Sequence, residues 1–168
     1  MEFETKVQFL TQPEHNRRTI VISDIHGHRA WLEKLLKKVD FSEKDILIIV
    51  GDMIEKGPES LNTIRYIMEL CEKYTVYPMM GNVDLWRIQM LLTEDGSLDQ
   101  ELYETNERMR QYWKATFFQD LCREAGVSVK TPEEIPAARE AVLAKFQKEL
   151  TFMKELPTIL VTPAFTFV

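Results

Sequence analysis

The chain has 168 residues, enough for one domain with a substantial core and too few for two of ordinary size. Apolar residues make up 45% and charged residues 29%, the balance of a folded globular protein rather than a disordered one. A formal charge of −6 argues against capture of nucleic acid or anionic membrane by a basic face, and no apolar run approaches the roughly 18 residues of a spanning helix.

The N-terminus, "MEFETKVQFLTQ", alternates charge with apolar residues and has no h-region of a secretory signal, so the expectation is a cytoplasmic protein. "RTIVIS" reads as a strand. In "WLEKLLKKV" the spacing predicts a helix with Trp31, Leu32, Leu35, Leu36 and Val39 on one face. "DILIIV" is a second continuous apolar run, bounded by Asp45 and Gly51. After Pro58, a suitable first helical residue, Leu61, Ile64, Ile67, Met68 and Cys71 recur at helical spacing. "TVYPMM" is a third strand, and Pro78, which has no N–H for the ladder, suits an edge. Strands apolar on both faces that alternate with helices imply a largely parallel sheet covered by helices.

Residues 93–155 are charged and helical, and read as a helical insertion or cover within a single domain spanning 1–168. A first helix carries Leu98, Leu102, Met109, Tyr112, Trp113, Phe117 and Leu121, and ends at Gly126. A second opens at Thr131, where Pro132 and Glu134 complete a capping-box pattern, and its apolar face is Ile135, Ala138, Val142, Phe146, Leu150 and Met153. The Lys and Glu residues of this block read as a solvated face. Cys71 and Cys122 lie far apart with no CxxC spacing and read as buried reduced thiols. The tail, "LPTILVTPAFTFV", returns to strand composition around a turn at Thr162-Pro163. It runs apolar to Val168, so the expectation is a domain truncated at its C-terminus, whose open sheet edge draws copies together as a homo-oligomer.

Asp24 and His26 follow the first strand, Asp52 follows the second and Asn82 the third, at nearly equal intervals. In open parallel sheets the ligand site lies beyond the carboxyl ends of the strands, so these loops should converge. Taken singly, each has a plainer reading: Asp24 or Asp52 as a helix N-cap, Asn82 as a turn residue, His26 as a loop polar group. Together they offer two carboxylates, an imidazole and an amide oxygen. That donor set suits Mn, Fe, Zn or Mg and not a soft thiolate-loving ion. Gly27, Gly51, Gly57 and Gly81 sit beside the same loops, where a missing side chain permits sharp turns and close approach.

"SDIHGH", "GDMIEKGP" and "GNVD", in that order, resemble the calcineurin-like metallophosphoesterases. The likeness is strongest to bacterial members of the serine/threonine protein phosphatase branch, whose motifs read GDxHG, GDxVDRG and GNHE. "YWKATF", "LPTILV" and "FTFV" also look like that branch, so the resemblance runs from Arg18 to Val168. It implies an α/β fold, the N-terminal portion of an α/β/β/α sandwich. It further implies two divalent metal ions (Mn, Fe or Zn) and hydrolysis of phosphate mono- or diesters by a metal-bound hydroxide. By the same resemblance Asp24 and His26 bind the first metal, Asp52 bridges both and Asn82 binds the second.

The chain departs from the family at three places. The GNHE histidine is Val83, the aspartate that orients it is Glu55, and the phosphate-binding arginine is Lys56. Glu55 and Lys56 are therefore the catalytic candidates, with Lys56 also the substrate-binding cation. A lysine supplies a point charge without the bidentate grip of a guanidinium. Loss of the histidine removes general-acid help worth roughly 10²–10⁴ in rate, which turns the expectation from phosphoserine toward diesters, activated monoesters or nucleotides. His15 and His28 do not match the family's remaining histidines. The alternative reading is a truncated or degenerate, non-catalytic domain acting as an interaction module. A metal-free Rossmann-like protein is disfavoured, because the chain has neither GxGxxG nor GxxxxGK[ST].

Overall fold

A computed structural model describes residues 5–10, 17–92 and 112–168. Leu98, Leu102, Met109 and His15 lie outside the described residues. The chain runs through β1 (Val7–Phe9), β2 (Thr19–Ile22), α1 (Arg29–Lys38), β3 (Ile46–Val50), α2 (Ser60–Lys73), β4 (Thr75–Met79) and α3 (Asn82–Leu92). It continues through α4 (Thr116–Ala125), α5 (Ile135–Lys145), α6 (Gln147–Glu155), β5 (Ile159–Val161) and β6 (Thr166–Phe167).

β3 is apolar at every position because neighbours cover it on both edges and both faces. It pairs in parallel with β2 on one side and with β4 on the other, giving the order β2-β3-β4. Pro78 lies on β4, the edge its missing N–H calls for. A second sheet, in the order β1-β5-β6, pairs β1 with β5 in parallel and β5 with β6 antiparallel around the turn at Thr162. Ile46, Ile48, Met79 and Leu160 form the small apolar layer between the sheets. An apolar cleft of about 650 Å³ opens beside it, lined by Phe9, Val21, Ile48, Phe165 and Phe167 among others.

The other face of the β2-β3-β4 sheet carries the main core. Leu61, Ile64 and Ile67 of α2 and Ile88 of α3 are buried in one cluster with Phe117, Phe118 and Leu121 of α4, Val142 of α5 and Leu150 and Met153 of α6. Arg65 of α2 clamps the helical cover from outside. Its guanidinium grips Glu124 with two hydrogen bonds of 2.8 Å and donates to Glu149 at 2.7 Å. Gly126 ends α4 in the left-handed region at φ 76°. Thr131 and Glu134 form the expected capping box, which opens a 3₁₀ turn at Pro132–Glu134 before α5 begins.

Three helices differ from expectation. The helix foreseen up to Gly126 is interrupted within the described residues: Tyr112–Lys114 forms a 3₁₀ turn and Ala115 is extended at φ −64° and ψ 144°, so α4 begins only at Thr116. The single helix foreseen after Thr131 is divided at Phe146, whose backbone leaves helical geometry. The bonds Phe146 N–H to Val142 and Leu150 N–H to Phe146 persist there, so the element is kinked rather than ended. The buried Phe146 ring seats beneath the Arg65 guanidinium, 5.8 Å from its centroid. The apolar face of α1 is also narrower than five residues. Leu32 and Leu36 are buried, whereas Trp31 and Leu35 project outward at 68% and 40% exposure. Among the described residues β2 is an edge strand, so α1 covers the sheet margin and its i, i+4 pair Leu32 and Leu36 reaches the core.

Cys122 is buried and Cys71 partly so, and burial pushes both thiols up to about 11. Among the described residues no helix is long and apolar enough to cross a membrane.

Arg18, just before β2, meets Asp45, just before β3, with two hydrogen bonds of 2.9 Å, and the Ser42 N–H donates to the same carboxylate at 2.8 Å. The Arg18 bond, aided by Ser42, holds the Asp45 carboxyl at about 2. A carboxyl lowered in the folded chain adds stability above its unfolded value and loses it as pH falls through the folded one. Asp45→Asn is therefore expected to lower the melting temperature near neutral pH. The gap from the native chain should close as pH falls from about 4 toward 2, which thermal melts across that range would measure.

Candidate metal centre

Three loops leave the carboxyl ends of β2, β3 and β4, and glycine packs them backbone to backbone. A Cβ on Gly81 would lie 2.2 Å from the Asp52 nitrogen and 2.5 Å from its Oδ1, and one on Gly57 would lie 2.4 Å from the His26 carbonyl. Only hydrogen fits at either point. The loop of Asp24 and His26 is also bonded directly to the next one: His26 N–H donates to the Asp52 carbonyl at 2.9 Å and Gly27 N–H to Met53 at 2.8 Å.

Backbone strain concentrates here. Asp24, His26, Asp52, Glu55 and Lys56 all have positive φ, between 47° and 69°. Each such non-glycine residue costs on the order of 1–3 kcal/mol and persists only where its surroundings over-determine it. The conformation turns these five side chains away from the path a regular strand or helix would give them.

The result is a cluster in which Asp24, His26 and Asp52 each place one donor atom within 4.8 Å of the others. His26 Nε2 is 3.4 Å from Asp24 Oδ1 and 3.6 Å from Asp52 Oδ2. His26 is buried, and its Nδ1 lies 3.1 Å from the Ile54 carbonyl oxygen. That oxygen can only accept, so Nδ1 carries the proton and Nε2 presents a lone pair, the orientation a metal-binding imidazole takes. Lys56 brings its ammonium to 2.7 Å from this same Nε2. The chain's own positive charge thus sits where two carboxylates and an imidazole converge, and the donor set fits a divalent cation.

Asn82 opens α3 next to Gly81 and is exposed. The following N–H, of Val83, donates to Asp52 Oδ1 at 3.2 Å, which brings Asn82 beside Asp52. Glu55 is engaged elsewhere. Its buried carboxylate accepts from Arg87 Nε at 3.1 Å, from the Thr116 N–H at 3.1 Å and hydroxyl at 3.2 Å, and from the Phe117 N–H at 3.3 Å. It therefore ties the Asp52 loop to α3 and to the first turn of α4, where a carboxylate is favoured by the unpaired N–H groups.

Sequence reasoning missed Asp84. This residue is fully buried in the first turn of α3 and accepts from the Met53 N–H at 3.0 Å, the Ile54 N–H at 3.2 Å and the Gly81 N–H at 3.0 Å. Burial pushes its carboxyl up to about 6; the three N–H groups pull it down and the neighbouring Asp52 charge adds to the rise. The available signal was its place as the fourth residue of "GNVD". Arg87 and Thr116 gave no comparable signal, because they reach Glu55 only through the tertiary fold.

A parallel sheet whose strand-end loops gather two carboxylates and an imidazole defines an α/β protein with a candidate cation centre. Residues 17–141 match the profile of the calcineurin-like phosphoesterases, and the chain belongs to that family. The symmetrical bis(5′-nucleosyl)-tetraphosphatase of Shewanella loihica is 46% identical over 68 residues, 40% of this chain and 24% of that protein. The protein of the same name from Coxiella burnetii is 34% identical over 92 residues, 54% of this chain and 30% of that one. A crystal structure of a candidate diadenosine tetraphosphatase superposes with a TM-score of 0.56 at 25% identity, covering 96% of this chain and 51% of that one. The metallophosphoesterase of Sphaerobacter thermophilus shares the fold, with a TM-score of 0.51 at 18% identity over 89% of this chain and 45% of that one. The matches thus cover less than a third of the curated relatives and about half of the solved neighbours. The relatives bearing these names are tetraphosphatases, not protein phosphatases.

Truncating Asp84 to alanine would leave three N–H groups from two loops with no acceptor. The expected cost is about 2–5 kcal/mol of stability, read from chemical denaturation. Leu85→Ala, on the same helix but only partly buried, is expected to cost less.

Proposed function

We propose that this chain is a metal-dependent phosphoesterase that cleaves phosphate linkages in nucleoside polyphosphates. The observation that carries the reading is the convergence of Asp24, His26 and Asp52 at the strand ends of a calcineurin-like phosphoesterase. Asp24, His26 and Asp52 would hold a first divalent ion, and Asp52 with Asn82 would reach a second. When bound, such ions supply Lewis acidity and an activated water.

The chain's own residues do the rest. The Ile54 carbonyl keeps His26 in the tautomer whose Nε2 is unprotonated. Asp52 is oriented by the Val83 N–H, so its second oxygen stays turned toward His26. Lys56 supplies a positive charge for a phosphoryl oxygen, and we read Glu55 as a positioning residue that aims Lys56 by holding its loop to α4. Val83 cannot protonate a leaving group. A phosphoanhydride suits such a site, because its departing nucleotide phosphate is a weak base and needs little general-acid help. The names of the tetraphosphatase relatives support the same substrate class.

A second reading rests on one observation, the Lys56 ammonium bonded to His26 Nε2: the site's cation is the lysine, and the domain is a non-catalytic interaction module. Hydrolysis of diadenosine tetraphosphate with added Mn²⁺ separates the two. On the enzyme reading the chain turns over, Asp52→Asn lowers kcat/KM by more than about 100-fold, beyond the loss typical of outer groups, and metal retained after gel filtration falls in parallel. No turnover together with no retained metal in the native chain would establish the second reading.

A further inference from the structure

We propose that Trp31 and His28 form a nucleobase platform beside the cation centre, so that a nucleotide bound there stacks its base on Trp31 while its phosphates reach the strand-end loops. The proposal rests on the phosphoesterase reading above and adds a base-recognition subsite to it.

Three observations carry it. First, Trp31 is out of place as a core residue. It occupies the first turn of α1, a helix whose packing is done by Leu32 and Leu36, and the residue is 68% exposed. A side chain of that size left in water forgoes a large share of the gain from burial. Second, the ring is pre-set rather than loose. It stacks on the His28 imidazole with centroids 4.6 Å apart and planes inclined by 17°. The backbone N–H of Trp31 also donates to the His28 carbonyl at 3.0 Å, which fixes the two residues in one turn of chain. A ring already held flat loses little freedom when a second flat group joins it.

Third, the platform belongs to the same turn as the metal loop. The His28 N–H donates to the Ile25 carbonyl at 3.1 Å, closing a turn that contains His26. Trp31 lies five positions after His26, a path of at most about 17 Å even if fully extended, and the closed turn makes it shorter. A nucleoside joined to its phosphates through ribose matches such an arrangement: charged groups at one end, a flat apolar slab at the other. Stacking on an aromatic ring tolerates every base, since each has a π face, so the platform selects for nucleotides over inorganic phosphates without reading base identity.

The test compares two non-hydrolysable probes by calorimetry in Mn²⁺: α,β-methylene-ADP, which carries a base, and methylenediphosphonate, which does not. The native chain is expected to bind the nucleotide about tenfold more tightly, the range a single stacked base contributes. Trp31→Ala should remove that preference and leave methylenediphosphonate affinity unchanged, while Trp31→Phe keeps most of the preference. Equal loss for both probes, or none for either, overturns the platform. Adenosine alone distinguishes failure of the platform from failure of the cation centre. If it still quenches fluorescence in the native chain but not in Trp31→Phe, while methylenediphosphonate fails to bind at all, the platform stands and the cation centre falls.

Discussion

The buried carboxylate of Asp84 is the contact on which the site depends. Met53, Ile54 and Gly81 direct their N–H groups at it from two loops. Without an acceptor those loops would have to turn toward water, because a buried N–H left unpaired costs as much as a hydrogen bond gained. With it, the Asp52 loop and the Asn82 loop are drawn together until Gly81 meets the Asp52 backbone with no room for a side chain. The first loop then joins through main-chain bonds from His26 and Gly27. A carboxyl raised to about 6 by burial is the local cost of that arrangement.

From this clamp outward, each layer secures the next. The packed loops force positive φ on five residues, and the strain is what lets Asp24, His26 and Asp52 face one another at the ends of separate strands. Glu55 extends the hold to the helical cover through Arg87 and the first turn of α4. Arg65 then fastens α4 and α6 to α2. The helical block is thus continuous with the core beneath the site, in one cluster of buried side chains, rather than an appendage resting on it. Asp24, His26 and Asp52 are thus gathered before a cation arrives, and what must still move for it to bind is the Lys56 ammonium on His26 Nε2.

Much of this was legible in the chain. The apolar runs marked β2, β3 and β4, because a strand covered on both faces cannot alternate, and Pro78 marked the edge. Asp24, His26, Asp52 and Asn82 could be placed at strand ends from spacing alone. Gly126 and the Thr131 capping box announced helix ends. The weak points were of one physical kind. Periodicity shows that Trp31 and Leu35 could share a face with Leu32 and Leu36, but not that α1 lies at the margin of a sheet, where that much face has nothing to cover. It likewise ran straight through Phe146, where α5 gives way to α6 beneath the Arg65 guanidinium. β1 escaped notice because Val7 and Phe9 with one glutamine between them are too short a run to stand out.

The sequence by itself determined the chemistry on offer: oxygen and nitrogen donors, no usable thiolate, a lysine in place of an arginine and a valine in place of a histidine, in an order that names a family. Those are properties of residue type and chain order, and they survive without coordinates. Only the tertiary structure decided the partners. That Glu55 caps α4, that Asp84 clamps two loops, that Lys56 reaches His26 and that Trp31 stands exposed on His28 all depend on contacts between distant segments or on which helix face a sheet margin leaves bare. No local pattern encodes such contacts, because they are set by how the whole core packs.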